Sequence, residues 1–206
     1  MDNDQMLLAR VADAMRMAER GAVGQTAFLT PAEQEIVRRL LAAQGVPTER
    51  YLLYGGYTDA ERKKLFLLPD WYESGDLCAV SDEIIPIRIC GSGYHELTHR
   101  QYMGSILALG VERDVIGDIV VTDPHHAVVF CARQIVSFLL SGELVRIGAD
   151  TVHAETYALP TDFANVRETV SITDTISAPR LDAIVASLAR VSREKAKNIV
   201  QHGEVF

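Results

Sequence analysis

The residues with the clearest chemical potential in this 206-residue chain are His95, Glu96 and His99, which form the pattern H-E-x-x-H. On one helix, two histidines at this spacing bind zinc from the same face, and the glutamate between them serves as the general base of a metallopeptidase. His125 and His126 are available as a third ligand. One hypothesis for the chain is therefore a zinc-dependent hydrolase.

The residues around this pattern favour a different local structure. Thr98 and Gln101 have the spacing of a capping box, which predicts a helix that starts at Thr98. His95 then lies outside the helix that carries His99, and the two imidazoles do not share a helical face. We therefore expect that His95 and His99 are not on one helix, and the zinc hydrolase is kept as the alternative hypothesis.

The three cysteines are Cys78, Cys90 and Cys131, and no two of them have C-x-x-C spacing. This pattern argues against a disulfide framework and against a cysteine zinc site, and it is typical of the reducing cytosol. We expect all three to be small buried residues. The chain also has no phosphate-binding glycine loop and no G-x-S-x-G motif, so we expect no cofactor, no metal and no enzymatic activity.

The sequence predicts neither a membrane-spanning segment nor an export signal. The longest apolar stretches are much shorter than the roughly 20 residues that cross a bilayer. Acidic residues lie near the N-terminus, where an export signal has basic ones. The sequence therefore predicts a cytoplasmic protein with no membrane partner.

The net charge of −8 is unevenly distributed. Residues 177–206 contain five basic and three acidic residues, a net charge of +2, and the remaining residues contain 15 basic and 25 acidic ones, a net charge of −10. An acidic body followed by a basic segment is typical of a protein whose last part binds phosphate.

Two helices are predicted near the N-terminus. Apolar residues recur at helical spacing over residues 5–19, which indicates the first helix. For the second, Thr30 is a suitable N-cap, Pro31 suits the first helical position and Glu33 completes a capping box. We expect both helices to precede the sheet.

Strands and helices alternate through the rest of the body. Strands are predicted over 51–56, 65–70, 83–90, 116–123, 126–132 and 151–159, and helices over 98–110 and 132–142. From residue 83 onward this order is β-α-β-β-α-β, the ferredoxin-like arrangement that RNA-recognition motifs share with many enzymes. A further strand is predicted over 166–173. The fold class is thus α+β, with N-terminal helices and short strands over 1–79, a ferredoxin-like α/β domain over 80–176 and a third domain over 177–206.

The last part of the chain has the pattern of two short helices. Apolar residues over 181–188 line one face of the first helix, and Ser192 suits the N-cap position of the second. On the second helix, Arg193 and Lys197 lie one turn apart, and Lys195 lies on the opposite flank of the apolar stripe. Both flanks can therefore contact phosphates.

These helices carry R-L-D at 180–182 and S-R-x-x-A at 192–196, followed by G-x-V at 203–205. The pattern resembles the S-four RNA-binding domain, named after a ribosomal protein, whose paired helices present basic residues to structured RNA. The resemblance covers the first half of that domain. We expect a strand to begin at Val205 and the chain to stop before the rest of the small sheet.

Two segments of the body carry a second resemblance. They are GGYTDAERKK at 55–64 and LTHRQYMGSILALGVERDVIGDI at 97–119. Both resemble the YlmH family, bacterial proteins in which a body of this kind is joined to a C-terminal S-four domain. The resemblance runs from about residue 26 to the end of the chain. This sequence departs from the family pattern at Gln101, where an aspartate is expected after H-R. The family pattern does not require His95.

The resemblance implies RNA binding on the ribosome. Family members are associated with translation quality control on large subunits that still hold peptidyl-tRNA after stalling, and their genes are often found beside cell-division genes. The implied partners are ribosomal RNA and peptidyl-tRNA, with no DNA, although a body that binds protein while only the tail contacts RNA is left open. By position, the RNA contacts are Arg180, Arg193, Lys195 and Lys197, with Arg62, Lys63, Lys64, His99 and Arg100 as further candidates in the body.

Overall fold

The chain folds into helices and antiparallel sheets, so the predicted mixture of α and β structure is confirmed. The computed structural model describes residues 3–72, 78–164, 173–176 and 178–201. Two units divide the chain, Met1–Asn165 and Val166–Phe206, and we call them the body and the tail. In the described ranges, every helix is too short or too polar to cross a bilayer. The strands predicted over 166–173 and from Val205 onward fall outside the described residues, apart from position 173.

The N-terminal segment folds as helix, strand and helix. α1 (Asn3–Glu19) and α2 (Pro31–Ala43) confirm the two predicted helices, and β1 (Gly24–Leu29) lies between them. The capping box of α2 is present, because the Thr30 N–H donates to the Glu33 carboxylate at 2.7 Å and the Glu33 N–H donates to the Thr30 hydroxyl at 3.3 Å. The expectation that both helices precede the sheet is wrong. β1 is a strand because it pairs with a strand far along the chain, which no local pattern reveals.

β1 belongs to a three-stranded antiparallel sheet that also contains β2 (Tyr51–Tyr54) and β3 (Lys63–Leu67), in the order β1-β3-β2. β3 is the central strand, and its residues from Lys64 to the end are buried. It starts two residues earlier than predicted, because Lys63 and Lys64 also belong to the strand.

A second sheet forms the centre of the body. Its strands are β4 (Ile84–Gly91), β5 (Ile116–Asp123), β6 (His126–Ala132), β7 (Arg146–Ile147) and β8 (Asp150–Thr156). The strand order is β5-β6-β4-β8-β7, and every pair is antiparallel. The helices are α3 (Cys78–Ser81), α4 (His99–Ala108) and α5 (Val136–Leu140), with single 3-10 turns at Thr48–Arg50, Arg113–Val115 and Arg133–Ile135. From β4 to β8 the elements follow β-α-β-β-α-β, with β7 added before the last strand.

Apolar clusters cover both faces of this second sheet. On one face, Ile89 of β4 packs in a cluster with Tyr102 of α4. On the other face, Phe130 of β6 packs in a cluster with Phe66 of the three-stranded sheet. The predicted boundary between residues 79 and 80 therefore does not separate two units, because β6 is apolar on both faces and its second face is covered by the N-terminal sheet. Both described cysteine side chains, Cys90 and Cys131, are buried as expected.

The described part of the tail contains α6 (Leu181–Ala189) and α7 (Arg193–Gln201), the two helices that the sequence predicts. The Ser192 hydroxyl accepts the N–H of Lys195 at 3.3 Å, as expected of an N-cap residue. Ala196 of α7 is fully buried. A small residue at this position allows α7 to pack closely against α6.

We expect the body to fold without residues 177–206. All three hydrophobic clusters of the described residues are built from body residues. Removing 177–206 should therefore leave one cooperative thermal transition at a temperature close to that of the whole chain. Circular dichroism melting of both proteins measures the two transitions. A large fall in the transition temperature of the shortened protein would show that the body depends on the tail.

Candidate RNA-binding surfaces

Two of the predicted RNA-binding arginines converge on one carboxylate in the tail. Arg180 is the N-cap of α6 and Arg193 is the first residue of α7, and their Nε atoms donate to the two oxygens of Asp182 at 3.0 and 3.1 Å. The Asp182 side chain is 12% exposed, whereas the arginine side chains are 63% and 57% exposed. Hydrogen bonds from Arg180 and Arg193 hold the pKa of the Asp182 carboxyl below its usual range, so this group stays ionised. Each contact uses one of the five N–H donors of a guanidinium group, and the others can still bind a phosphate.

Lys195 and Lys197 extend the positive charge along α7. Both are exposed, and Lys197 lies one helical turn after Arg193 on the same face. Lys195 lies on the other side of the buried Ala196. Neither amine belongs to an ion pair in the described part of the tail. We call the four cationic residues Arg180, Arg193, Lys195 and Lys197 the tail surface.

Arg62, a predicted RNA contact of the body, is part of its internal hydrogen bonding. Its Nε donates to the carbonyl oxygen of Ile116 at 3.1 Å, and its Nη2 donates to that of Phe28 at 3.1 Å. Its backbone N–H donates to the Asp118 carboxylate at 3.0 Å. Burial lowers the pKa of the guanidinium group. Because these contacts join β1 to β5, we assign Arg62 a structural role and no longer count it among the RNA contacts.

The two lysines that follow differ in their exposure. Lys64 is 6% exposed, and its amine donates to the side chain of Gln25. Burial lowers the pKa of this amine, which lies beside a cavity of about 390 Å³ lined also by Glu83 and Arg133. Lys63 is half-buried at the start of β3. Of the two, only Lys63 keeps part of its side chain at the surface for contact with RNA.

The loop that leads into α4 is tied to the turn between β5 and β6. The N–H of Leu97 donates to the carbonyl oxygen of Pro124 at 2.7 Å, and the N–H of Gly91 donates to that of His125 at 2.8 Å. The Nδ1 atom of His125 lies 2.9 Å from the carbonyl oxygen of His95. These bonds hold the loop and the start of α4 in place against the second sheet.

The H-E-x-x-H pattern in this loop does not form the two-histidine helix of a metallopeptidase. His99 is the first residue of α4, and His95 lies in the loop before it. The Gln101 side-chain oxygen accepts from the N–H and the hydroxyl of the N-cap Thr98, at 2.9 and 2.8 Å. The prediction that the histidines are not on one helix is confirmed, and this geometry argues against the zinc hydrolase. Among the described residues, His95, Glu96 and His99 do not belong to any group of three metal-binding side chains that lie close together.

The structure adds an aromatic residue to the candidates. Tyr94 is 87% exposed in this loop, and His99 and Arg100 are exposed at the start of α4. Nucleic-acid bases stack on exposed aromatic rings, and a nearby cation can bind the phosphate of the same nucleotide. In the sequence, the only indication of this residue is that a tyrosine follows Gly93 directly. The adjoining H-E-x-x-H pattern indicates a role for the histidines and none for Tyr94. We call Tyr94, His95, His99 and Arg100 the body surface.

Comparisons with known proteins agree on one family. Residues 85–161 match the family model described as "Putative RNA-binding domain in YlmH". The chain is 31% identical over 185 residues to the "Ribosome-associated protein quality control protein P2" of Bacillus subtilis, a match that covers 87% of this chain and 67% of that protein. The solved structure of "Cell division protein ylmH from Streptococcus pneumoniae" has the same fold, with a TM-score of 0.60 at 21% identity over 77% of this chain and 93% of that one. The chain therefore belongs to the YlmH family, as its sequence motifs indicate.

Proposed function

We propose that this chain is a cytoplasmic RNA-binding protein that acts on ribosomes and catalyses no reaction. Its role is translation quality control on large ribosomal subunits that carry stalled peptidyl-tRNA, and its partners are ribosomal RNA and that tRNA. The name of the Bacillus subtilis relative and the RNA-binding family match over residues 85–161 support this proposal. A link to cell division is included because the Streptococcus pneumoniae protein is named for it.

The tail surface is the observation that carries the proposal. Asp182 orients the guanidinium groups of Arg180 and Arg193, so less side-chain freedom is lost when phosphates bind to their remaining N–H donors. Lys195 and Lys197 add two exposed positive charges along α7. A polyanion with closely spaced phosphates, such as a folded RNA, is the ligand that such a group of cations fits.

The charge of the rest of the chain favours a specific RNA over DNA. Residues 1–176 carry 15 basic and 25 acidic residues, a net charge of −10. This charge repels a long polyanion that is not aligned with the tail surface, which weakens non-specific binding to duplex DNA. Binding is therefore expected to depend on the shape of the RNA and on the placement of its phosphates.

The proposal includes two assignments of fold. The element order β-α-β-β-α-β and the strand order β5-β6-β4-β8 support a ferredoxin-like arrangement for the centre of the body. The position of R-L-D at the start of α6 and of S-R-x-x-A at the start of α7 supports an S-four type for the tail. We propose that residues 177–206 form the first part of such a domain.

Crosslinking of the full-length protein to RNA in cells, followed by sequencing of the attached RNA, tests the proposal. We expect the sequences to concentrate in large-subunit ribosomal RNA and in tRNA. Mass spectrometry of the crosslinked peptides distinguishes the tail surface, through peptides from 193–197, from the body surface, through peptides with Tyr94. The matched control has alanine at all four tail-surface positions. Recovery of RNA from the parent at the level of this control, without crosslinks to Tyr94, contradicts the proposal.

A further inference from the structure

Three residues with metal-binding side chains meet on one face of the second sheet. Residues Ile87 and Ile89 of β4 point into the cluster beneath α4, so Cys90, the next residue along, points to the opposite face. His153 of β8 is the register partner of Cys90, and Glu155 follows two residues later on the same face. Cys90 and Glu155 are 65 residues apart in the sequence, so only the pairing of β4 with β8 brings them together.

The separations within this group fit a small cation. The Sγ of Cys90, a ring nitrogen of His153 and a carboxylate oxygen of Glu155 all lie within 4.8 Å of one another. The Cys90 Sγ is 3.6 Å from the Glu155 Oε1. Around a tetrahedral zinc ion, ligand atoms are about 3.5 Å apart, given bond lengths of about 2.0–2.3 Å. The carboxylate is already at this separation from the sulfur, and the exposed His153 side chain would have to move closer to both by no more than about 1.3 Å.

One of the three residues is held in place, and the other two can adjust to a bound cation. Cys90 is 7% exposed near the end of β4, at a position where the strand is paired on both sides, so its backbone is held in place. His153 and Glu155 are exposed, so both side chains can adjust to a cation that arrives from solvent. His126, the register partner of Cys90 on β6, binds Asp123 through Nδ1 at 2.8 Å and is not one of the three close ligands. Three protein ligands would leave the fourth position of a tetrahedral site open to water.

We propose that Cys90, His153 and Glu155 form a binding site for a divalent cation of the zinc class. Thiolate and imidazole ligands select zinc and similar metals, whereas magnesium and calcium prefer sites built from oxygen atoms alone. On binding, the thiol of Cys90 loses its proton to solvent and the sulfur bonds to the cation, with no change in oxidation state. The thiolate and the Glu155 carboxylate together balance the two positive charges. The site differs from the H-E-x-x-H pattern, with which it shares no residue.

The test uses the full chain without an affinity tag, freed of metal with a chelator and titrated with Co²⁺. We expect one Co²⁺ per chain, with a sulfur-to-cobalt charge-transfer absorption that Zn²⁺ abolishes by displacement. His153→Ala and Glu155→Gln should each weaken binding by at least about tenfold. Both residues are exposed, so these two variants should melt like the parent. Cys90→Ala should remove the charge-transfer absorption.

Controls separate this site from the other histidines and cysteines. His95→Ala and His99→Ala should bind cobalt as the parent does, and Cys131→Ala should keep the charge-transfer absorption. The inference is overturned if cobalt produces no charge-transfer absorption, or if binding is lost in His99→Ala and kept in His153→Ala. The readout is metal binding itself, so neither result bears on the proposed role in RNA binding.

Discussion

Ribosome binding is expected to weaken on the order of a hundredfold, at about 0.15 M salt, when Arg193, Lys195 and Lys197 are replaced together by alanine. Each phosphate contact releases condensed counterions, and at this salt concentration one contact contributes about a fourfold to fivefold increase in affinity. All three side chains are exposed in the tail surface and can reach phosphates without rearrangement of the fold. Co-sedimentation of the protein with purified large subunits measures the affinity.

The dependence of the affinity on salt gives the same prediction a second readout. Each single substitution should reduce the slope of log affinity against log salt by about 0.7–0.9, because one phosphate contact is lost. A matched control replaces Arg16, Arg38 and Arg39 by alanine, which removes the same charge from α1 and α2. Equal binding by the tail variant and the parent at moderate salt would exclude the tail surface. The body surface and Lys63 would then be the remaining candidates for the RNA contact.

Replacing Asp118 by alanine is expected to destabilise the body by about 3 kcal/mol. Asp118 of β5 is 8% exposed, and its carboxylate accepts from the Tyr57 hydroxyl at 2.7 Å and from the N–H groups of Glu61 and Arg62 at 2.7 and 3.0 Å. Alanine leaves all three donors without this acceptor, and each lost hydrogen bond to a charged group costs about 1 kcal/mol or more. The loss corresponds to a fall of about 6–12 °C in the melting temperature of a chain of this size.

Differential scanning calorimetry measures this fall, and the chain offers a matched control. The three donors to Asp118 lie in the connection between β2 and β3, and Asp59 lies in that connection too but is exposed. Asp59→Ala is therefore expected to change stability by no more than about 0.5 kcal/mol. Similar melting temperatures for the two variants would mean that Asp118 does not join the connection to the second sheet. Binding of RNA by Asp118→Ala below its melting temperature should match the parent, since the tail surface is unchanged.

Local sequence patterns determined much of the body. β5 and β6 begin and end where the sequence predicts, because each is an apolar run and a turn at residues 123–125 separates them. The two capping boxes also follow from the sequence, since an N-cap residue and its partner are three positions apart. The exclusion of His95 from α4 is therefore a property of the local sequence around Thr98.

The tail surface was predictable in its membership but not in its geometry. Helical periodicity alone places Arg193 and Lys197 on one face of α7. The convergence of Arg180 and Arg193 on Asp182 depends on the packing of α6 against α7. A pattern within either helix contains no information about that contact.

Only the tertiary structure decided which polar residues of the body leave the surface. Arg62 and Lys64 lie in a polar stretch of sequence, yet the carbonyl groups of distant strands bind the first, and burial beside Gln25 removes the second from solvent. The meeting of Cys90 with His153 likewise requires the register of β4 against β8. A local pattern contains information about neighbours within roughly a turn of helix, whereas sheet register joins residues that the chain separates by tens of positions.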